Sequence, residues 1–269
     1  MEVAGGRLSY EVEYEMPGLN MSIFSRQSDH GISGGGEVHY VSSCASGRIT
    51  RMMLADICGD EDIFRRFSCE MRFGLMRNIN SIWQNRVVAD IGRQFRDFAN
   101  QGGFATASVA TFFAPTRSFV MCNIGNPPPL IYRSKKQRWE VDHGDVEHTS
   151  SDSDPVDGVF SEHEYRHIST KLEVDDLFVI YGNGFAQSVF PGGDVVGHSR
   201  LLSALQDAPH SDPKARLTHI AQLIQQVNSP REDSTILLCR VTDSPVSIRD
   251  NLLAPLRLFR RPQDNTKLA

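Results

Sequence analysis

Apolar positions along the chain follow two periods. Alternating or short apolar runs bounded by glycine and serine predict strands over residues 8–14, 37–43 and 49–57. From Asp60 the period lengthens. Ile63, Phe67, Met71, Leu75, Ile79 and Trp83 recur every three to four positions, with Arg65, Arg66, Glu70, Arg72 and Arg77 between them, which predicts a long amphipathic helix. Val88, Ile91, Phe95 and Phe98 predict a second helix, stopped at Gly102 and Gly103 where a C-terminal glycine is expected.

Strand patterning returns at residues 105–113, 118–124, 130–133 and 139–141, the first two joined by the turn-forming Ala114-Pro115-Thr116. Residues 142–157, with Ser150, Ser151, Asp152, Ser153 and Asp154 in a row, read as an exposed loop. A buried-type strand at 176–181, helices at 199–205 and 213–227, and a closing strand at 234–241 complete the series. Strands, two adjacent helices, more strands, then helices and a last strand predict an α+β fold: an antiparallel β-sandwich flanked by helices, α-β-β-α. The boundaries expected are 1–33 for an N-terminal strand and leader of the same domain, 34–243 for the domain body, and 244–269 for a tail.

Composition narrows the function classes. A net charge of -5 argues against a nucleic-acid binder. No apolar run approaches the roughly 20 residues that span a bilayer, and the N-terminus lacks the pattern of a signal peptide, so a cytoplasmic location is expected. Cys44, Cys58, Cys69, Cys122 and Cys239 form no C-x-x-C pair and are expected to be reduced. His143, His148, His163, His167 and His198 lie in or beside polar stretches without metal-ligand spacing and read as surface residues. The tail residues Leu252 to Arg261 mix leucine with arginine but are broken by proline, and are expected to pack on the domain.

Candidate chemistry gathers at four strand edges. These are Gly34-Gly35-Gly36-Glu37, Asp56-Ile57-Cys58-Gly59-Asp60, Tyr181-Gly182-Asn183-Gly184 and Arg231-Glu232-Asp233-Ser234-Thr235. Each alone is also what a strand-end turn looks like. Carboxylates beside glycine, however, let backbone carbonyls join side-chain oxygens around a hard cation.

Taken in order, these segments resemble the metal-dependent protein phosphatase (PPM) family in its SpoIIE-like branch. That family's pattern runs Gly-Gly-Asp, Asp-x-x-Gly-His-Gly, Phe-x-Thr-Ala, Asn-Ala-Gly-His-Pro-Pro-Pro, Thr-Asp-Gly and Asp-Asp-x-Thr. Here it is answered by Gly35-Gly36-Glu37, Asp56 to Gly59, Phe104-Ala105-Thr106-Ala107, Asn123-Ile124-Gly125-Asn126-Pro127-Pro128-Pro129, Tyr181-Gly182-Asn183-Gly184 and Glu232-Asp233-Ser234-Thr235. The resemblance implies two Mg²⁺ or Mn²⁺ ions that bind a substrate phosphate and activate a water. It places Asp56 between both ions with the Gly59 carbonyl, Glu37 on one, and Asn183 with Glu232 on the other; Asp60 and Asp233 are further candidates.

The departures fall on the ligands. Glu37 and Glu232 keep a charge on a longer arm, Asn183 loses one, and histidine is absent where Asp60 and Asn126 stand. Asp60 and Glu61 can also be the cap and first-turn acids of the helix that follows. Two functions are therefore carried forward. One is a phosphatase acting on phosphoserine or phosphothreonine of a bacterial signalling protein. The other is a pseudophosphatase that keeps the fold and binds such a partner without turnover.

Overall fold

The computed structural model describes residues 2–6, 8–28, 35–44, 47–78, 81, 87–88, 90–93, 98, 103–147, 165–209, 212–228 and 232–243. Thirteen strands and four helices are assigned among them. The strands are β1 (Glu2–Gly6), β2 (Tyr10–Met16), β3 (Leu19–Arg26), β4 (Gly35–Ser43), β5 (Ile49–Cys58), β6 (Phe104–Phe113), β7 (Ser118–Ile124), β8 (Leu130–Arg133), β9 (Arg138–Val141), β10 (Asp145–Glu147), β11 (Tyr165–Lys171), β12 (Leu177–Tyr181) and β13 (Ser234–Val241). The helices are α1 (Glu61–Arg77), α2 (Asn183–Gln187), α3 (Gly197–Gln206) and α4 (Pro213–Gln226). Residues 87, 88, 90–93 and 98 are also helical.

Two antiparallel sheets result, one ordered β1-β4-β5-β6-β7-β11-β10 and the other β2-β3-β13-β12-β8-β9. Both faces of each sheet are covered, so the central strands read as continuous apolar runs rather than alternating ones. On β5, Met52 and Leu54 join the core between the sheets with Ile23, Phe112, Phe178 and Leu237. Met53, Ala55 and Ile57 face the other way, onto Phe64, Phe67, Met71 and Leu75 of α1. Phe67 stacks on Phe98 of the adjoining helical segment with ring centroids 4.0 Å apart. The outer face of the second sheet buries Tyr132, Val179, Tyr181 and Leu238 against Leu201 and Leu205 of α3 and Ile220 and Ile224 of α4. Each such aliphatic or aromatic burial contributes roughly 1.5–3 kcal/mol before entropy. The predicted α-β-β-α sandwich is the fold observed.

Helix starts are set by caps. Asp60 accepts from the Ile63 N–H at 2.8 Å and heads α1, with Glu61 and Asp62 in the first turn. Asp212 does the same for α4 through the Lys214 N–H, with Pro213 in the first turn. Among the described residues no helix is long and apolar enough to cross a membrane.

Several elements differ from expectation. The strand predicted at 8–14 is β2, and β3, which was not predicted, follows it through Pro17-Gly18, where Gly18 takes the positive φ of 76° that a tight hairpin demands. Strand β1, with two glycines among five residues, has little strand propensity and is held by pairing with β4. The loop read at 142–157 begins with a short strand, β10. Its residues 148–157, with His148, and also His163, Gly34, Arg231, Ile79, Trp83, Phe95, Gly102 and the tail 244–269 lie outside the described residues. All five cysteines lie among the described residues and none is in a disulfide.

Candidate functional site

Strand alternation builds the floor of the site. Because Leu54 faces the inter-sheet core, Asp56 two positions on points to the same side; Val41 fixes Glu37 and His39 likewise on β4, and Phe112 fixes Ser108 and Thr106 on β6. The ladder then aligns them. Glu37 pairs in register with Asp56, and Asp56 with Thr106. A carboxylate, a second carboxylate and a hydroxyl thus stand in a row across three strands at the end of the cleft.

The opposite sheet supplies the other wall. Strand β12 ends at Tyr181, Gly182 bonds to the Thr235 carbonyl at 3.2 Å, and α2 begins at Asn183. The Gly184 N–H donates to Glu37 Oε1 at 3.0 Å. Asp233, just before β13, accepts from the Ser28 N–H at 3.0 Å.

Glu37 is 1% exposed and its Oε2 has no hydrogen-bond partner. Burial and then the neighbouring Asp56 carboxylate push its pKa well up, against the lowering pull of Gly184 and Thr235. The Asp56 carboxyl is pushed up to about 6, first by burial and then by Glu232 and Asp233. Burial raises the Cys58 thiol too, helped by Asp56 and Glu232. Negative charge converges on Asp56 from three carboxylates.

Asn183 reaches the opposite sheet through its amide nitrogen, whose two hydrogens face Thr106 Oγ1 and the Gly125 carbonyl, both at 3.2 Å, with Asn126 Oδ1 at 3.5 Å as a third acceptor sharing them. Thr106 Oγ1 donates to Asn126 Oδ1 at 2.8 Å. Asn126 Nδ2 donates to the Leu54 carbonyl at 3.3 Å and to Ser108 Oγ at 3.2 Å. Asn123 closes the network, accepting from Ser108 Oγ at 3.2 Å and donating to the Asn126 carbonyl at 2.8 Å.

Glu37, Asp56, Asn183, Glu232 and Asp233 therefore meet at one end of the cleft, and Gly59 follows the Asp56 strand directly. Asp60 is turned into the α1 cap, and Glu61 pairs with Arg65 at 3.5 Å. Among the described residues no three histidine, cysteine, aspartate or glutamate side chains gather closely enough to hold a metal ion. Of the histidines read as surface residues, His143 is exposed, whereas His167 and His198 are half-buried and His198 Nδ1 bonds the Tyr181 hydroxyl at 2.8 Å. Sequence reasoning did not single out Thr106, Asn123 or Asn126 as site residues, although all three stand in its motifs; nor did it find the buried His39, which bonds Tyr10 across the sheets.

An α-β-β-α sandwich with an acidic row at one end of its inter-sheet cleft defines the class: a PPM, or PP2C-type, phosphatase fold. Within that class the chain belongs to the Stage II sporulation protein E (SpoIIE) family, whose model matches residues 70–242. Solved structures of the same fold include the RsbU and RsbW domains of Rv1364c from Mycobacterium tuberculosis, at 17% identity over 84% of this chain and a TM-score of 0.61. This chain spans 62% of that structure's length. RsbX in complex with magnesium is 14% identical over 87% of this chain and all of its own, with a TM-score of 0.61. The PP2C phosphatase domain with a regulatory fragment of SpoIIE from Bacillus subtilis is 14% identical, covering 83% of this chain and 62% of its own, with a TM-score of 0.58. At these identities the likeness is one of fold. No curated protein matches the chain.

Proposed function

We propose that the domain is a metal-dependent protein phosphatase that hydrolyses phosphoserine or phosphothreonine on a signalling protein, with Asp56 at the centre of its site. The observation that carries this reading is the crowding of carboxylates on Asp56: Glu37 faces it in register, and Glu232 and Asp233 both raise its pKa. Carboxylates are crowded in this way where a divalent cation balances them, and hard oxygen donors suit Mg²⁺ or Mn²⁺. The buried, partnerless Oε2 of Glu37 points the same way, since such an acceptor calls for a donor or a cation. The magnesium in the RsbX complex supports the same choice of metal.

Glu37, Asp56 and Glu232 carry the kind of oxygen donor such ions take, though among the described residues no three carboxylates stand close enough together to hold one, so metal binding would have to draw them in; Asn183 offers only a neutral amide oxygen. Bound there, divalent ions would neutralise phosphate charge and acidify an attacking water, so no protein nucleophile is needed. The chain's own part is orientation. Gly184 fixes the Glu37 carboxyl, the β4–β5 ladder fixes Asp56 against it, and Thr106 on β6 extends the floor of the cleft on the far side of Asp56.

A second reading, binding of a phosphoprotein without turnover, is favoured by one observation: the Asn183 amide is engaged in hydrogen bonds at the position where the resemblance expects a charged ligand. Calorimetric titration with Mn²⁺ and Mg²⁺, run beside hydrolysis of a phosphoserine peptide, separates the two. Turnover that disappears in Asp56→Asn supports the phosphatase. No metal binding at millimolar concentration, with peptide affinity indifferent to chelator, overturns it in favour of the second reading.

A further inference from the structure

The hydrogen bonds around Asn183 have a fixed direction. Thr106 has one hydroxyl proton, and it is spent on Asn126 Oδ1, so the same oxygen can only accept from Asn183. The Gly125 carbonyl can only accept, and Asn126 has both amide hydrogens engaged with Leu54 and Ser108, which leaves its Oδ1 facing Asn183 as an acceptor. Every group that meets position 183 from β6 and from the segment after β7 therefore asks for a donor. A carboxylate has none.

We infer that Asn126 and Asn183 are a matched pair: the acceptor presented by Asn126, with Thr106 and Gly125, selects an amide at 183, and this hydrogen-bond network, not a cation, positions the Asn183 side chain. Two consequences follow. With its nitrogen committed, Asn183 has only its neutral Oδ1 to offer a ligand. And an aspartate at 183 is excluded unless residue 126 becomes a donor. Histidine, which the family pattern carries at the corresponding position, is such a donor; its ring N–H can face a carboxylate where the Asn126 oxygen now faces an amide. Thr106 and Asn126 are thus positioning residues for the site, acting through Asn183.

The inference takes from the proposed function only the assignment of position 183 as a ligand position, and its first test uses neither metal nor substrate. Unfolding of the full chain is followed in Asn183→Asp, Asn126→His and the double variant. Asn183→Asp alone is expected to lower the midpoint temperature by ~3–6 °C, because two carbonyl-type acceptors lose their donor and gain a like charge. The double variant is expected to recover at least half of that loss. Equal losses in both backgrounds, or no loss in Asn183→Asp, would overturn the pairing.

Should Asn183→Asp not fold, Asn183→Ala against Thr106→Val serves, since the two break one shared bond and their effects should sum to less than additivity; additive effects would again overturn it. A second readout is one that a merely structural role would not move. Titrated with Mn²⁺ alone, the double variant should bind at least ~10-fold more tightly than either single variant, through a restored carboxylate. A stability cycle that couples while Mn²⁺ binds nowhere would count against the proposed phosphatase and leave the pairing standing.

Discussion

Glu37 and Asp56 stand directly opposite each other on β4 and β5, two carboxyls on one face of a sheet. Like charges so placed destabilise an antiparallel pair. Asp56→Asn should therefore leave the metal-free protein as stable as the wild type or more so, while reducing Mn²⁺ affinity at least ~10-fold and abolishing hydrolysis. Thermal unfolding without metal and calorimetry with it check the two halves separately. A fall in metal-free stability would show that the charge crowding on Asp56 is offset within the fold.

Gly182 is required by the length of Glu37. A Cβ there would lie 2.1 Å from Glu37 Oε1. Gly182→Ala should destabilise by ~1–3 kcal/mol, as overpacked interiors do, and Glu37→Asp in the same chain should restore most of it by withdrawing the carboxyl. Denaturant unfolding of the two variants and their combination measures the rescue.

The α1 layer depends on Phe67, fully buried and stacked on Phe98. Phe67→Ala should cost ~3–5 kcal/mol, and the double variant with Phe98→Ala less than the sum, because the second truncation enlarges a cavity already made. Equilibrium unfolding is the measurement.

How much of this was legible in the chain varies with the kind of signal. Helix α1 announced itself through a clean three-to-four period and an aspartate cap, and β13 through an unbroken apolar run; β13 stands where it was expected, and α1 starts where it was expected but is capped at Asn78, short of Trp83. Strand β1 carried no such signal, since its place in the sheet comes from pairing with β4. Motif order brought Glu37, Asp56, Asn183 and Glu232 to attention, but not the direction in which Asn183 would bond. That depends on the Thr106 and Asn126 acceptors, which lie 77 and 57 positions away and meet it only through folding.

Glu140 on β9 collects cations from Arg133 at 3.3 Å, Lys136 at 3.0 Å and Arg138 at 2.8 Å. Its carboxyl is held down to about 2 from an ordinary 4.5, chiefly by Lys136 and then by Arg138 and Arg133. A lowered carboxyl adds stability that is whole above about pH 4.5 and drains away as pH falls towards 2. The site is partly exposed, so Glu140→Gln should lower stability by no more than ~1 kcal/mol at pH 7, and the gap to wild type should close near pH 2 and in ~1 M salt. Parallel pH and salt series of unfolding midpoints check the sign.

Around Glu37 the space is already spoken for: Gly182 and Gly184 have no room for a Cβ, the first against Glu37 Oε1 and the second against the Asp233 carbonyl at 1.9 Å. The two glycines are thus held for different reasons: position 182 could take a side chain only beside a shorter residue at 37, whereas position 184 is closed by backbone that no change at 37 would move.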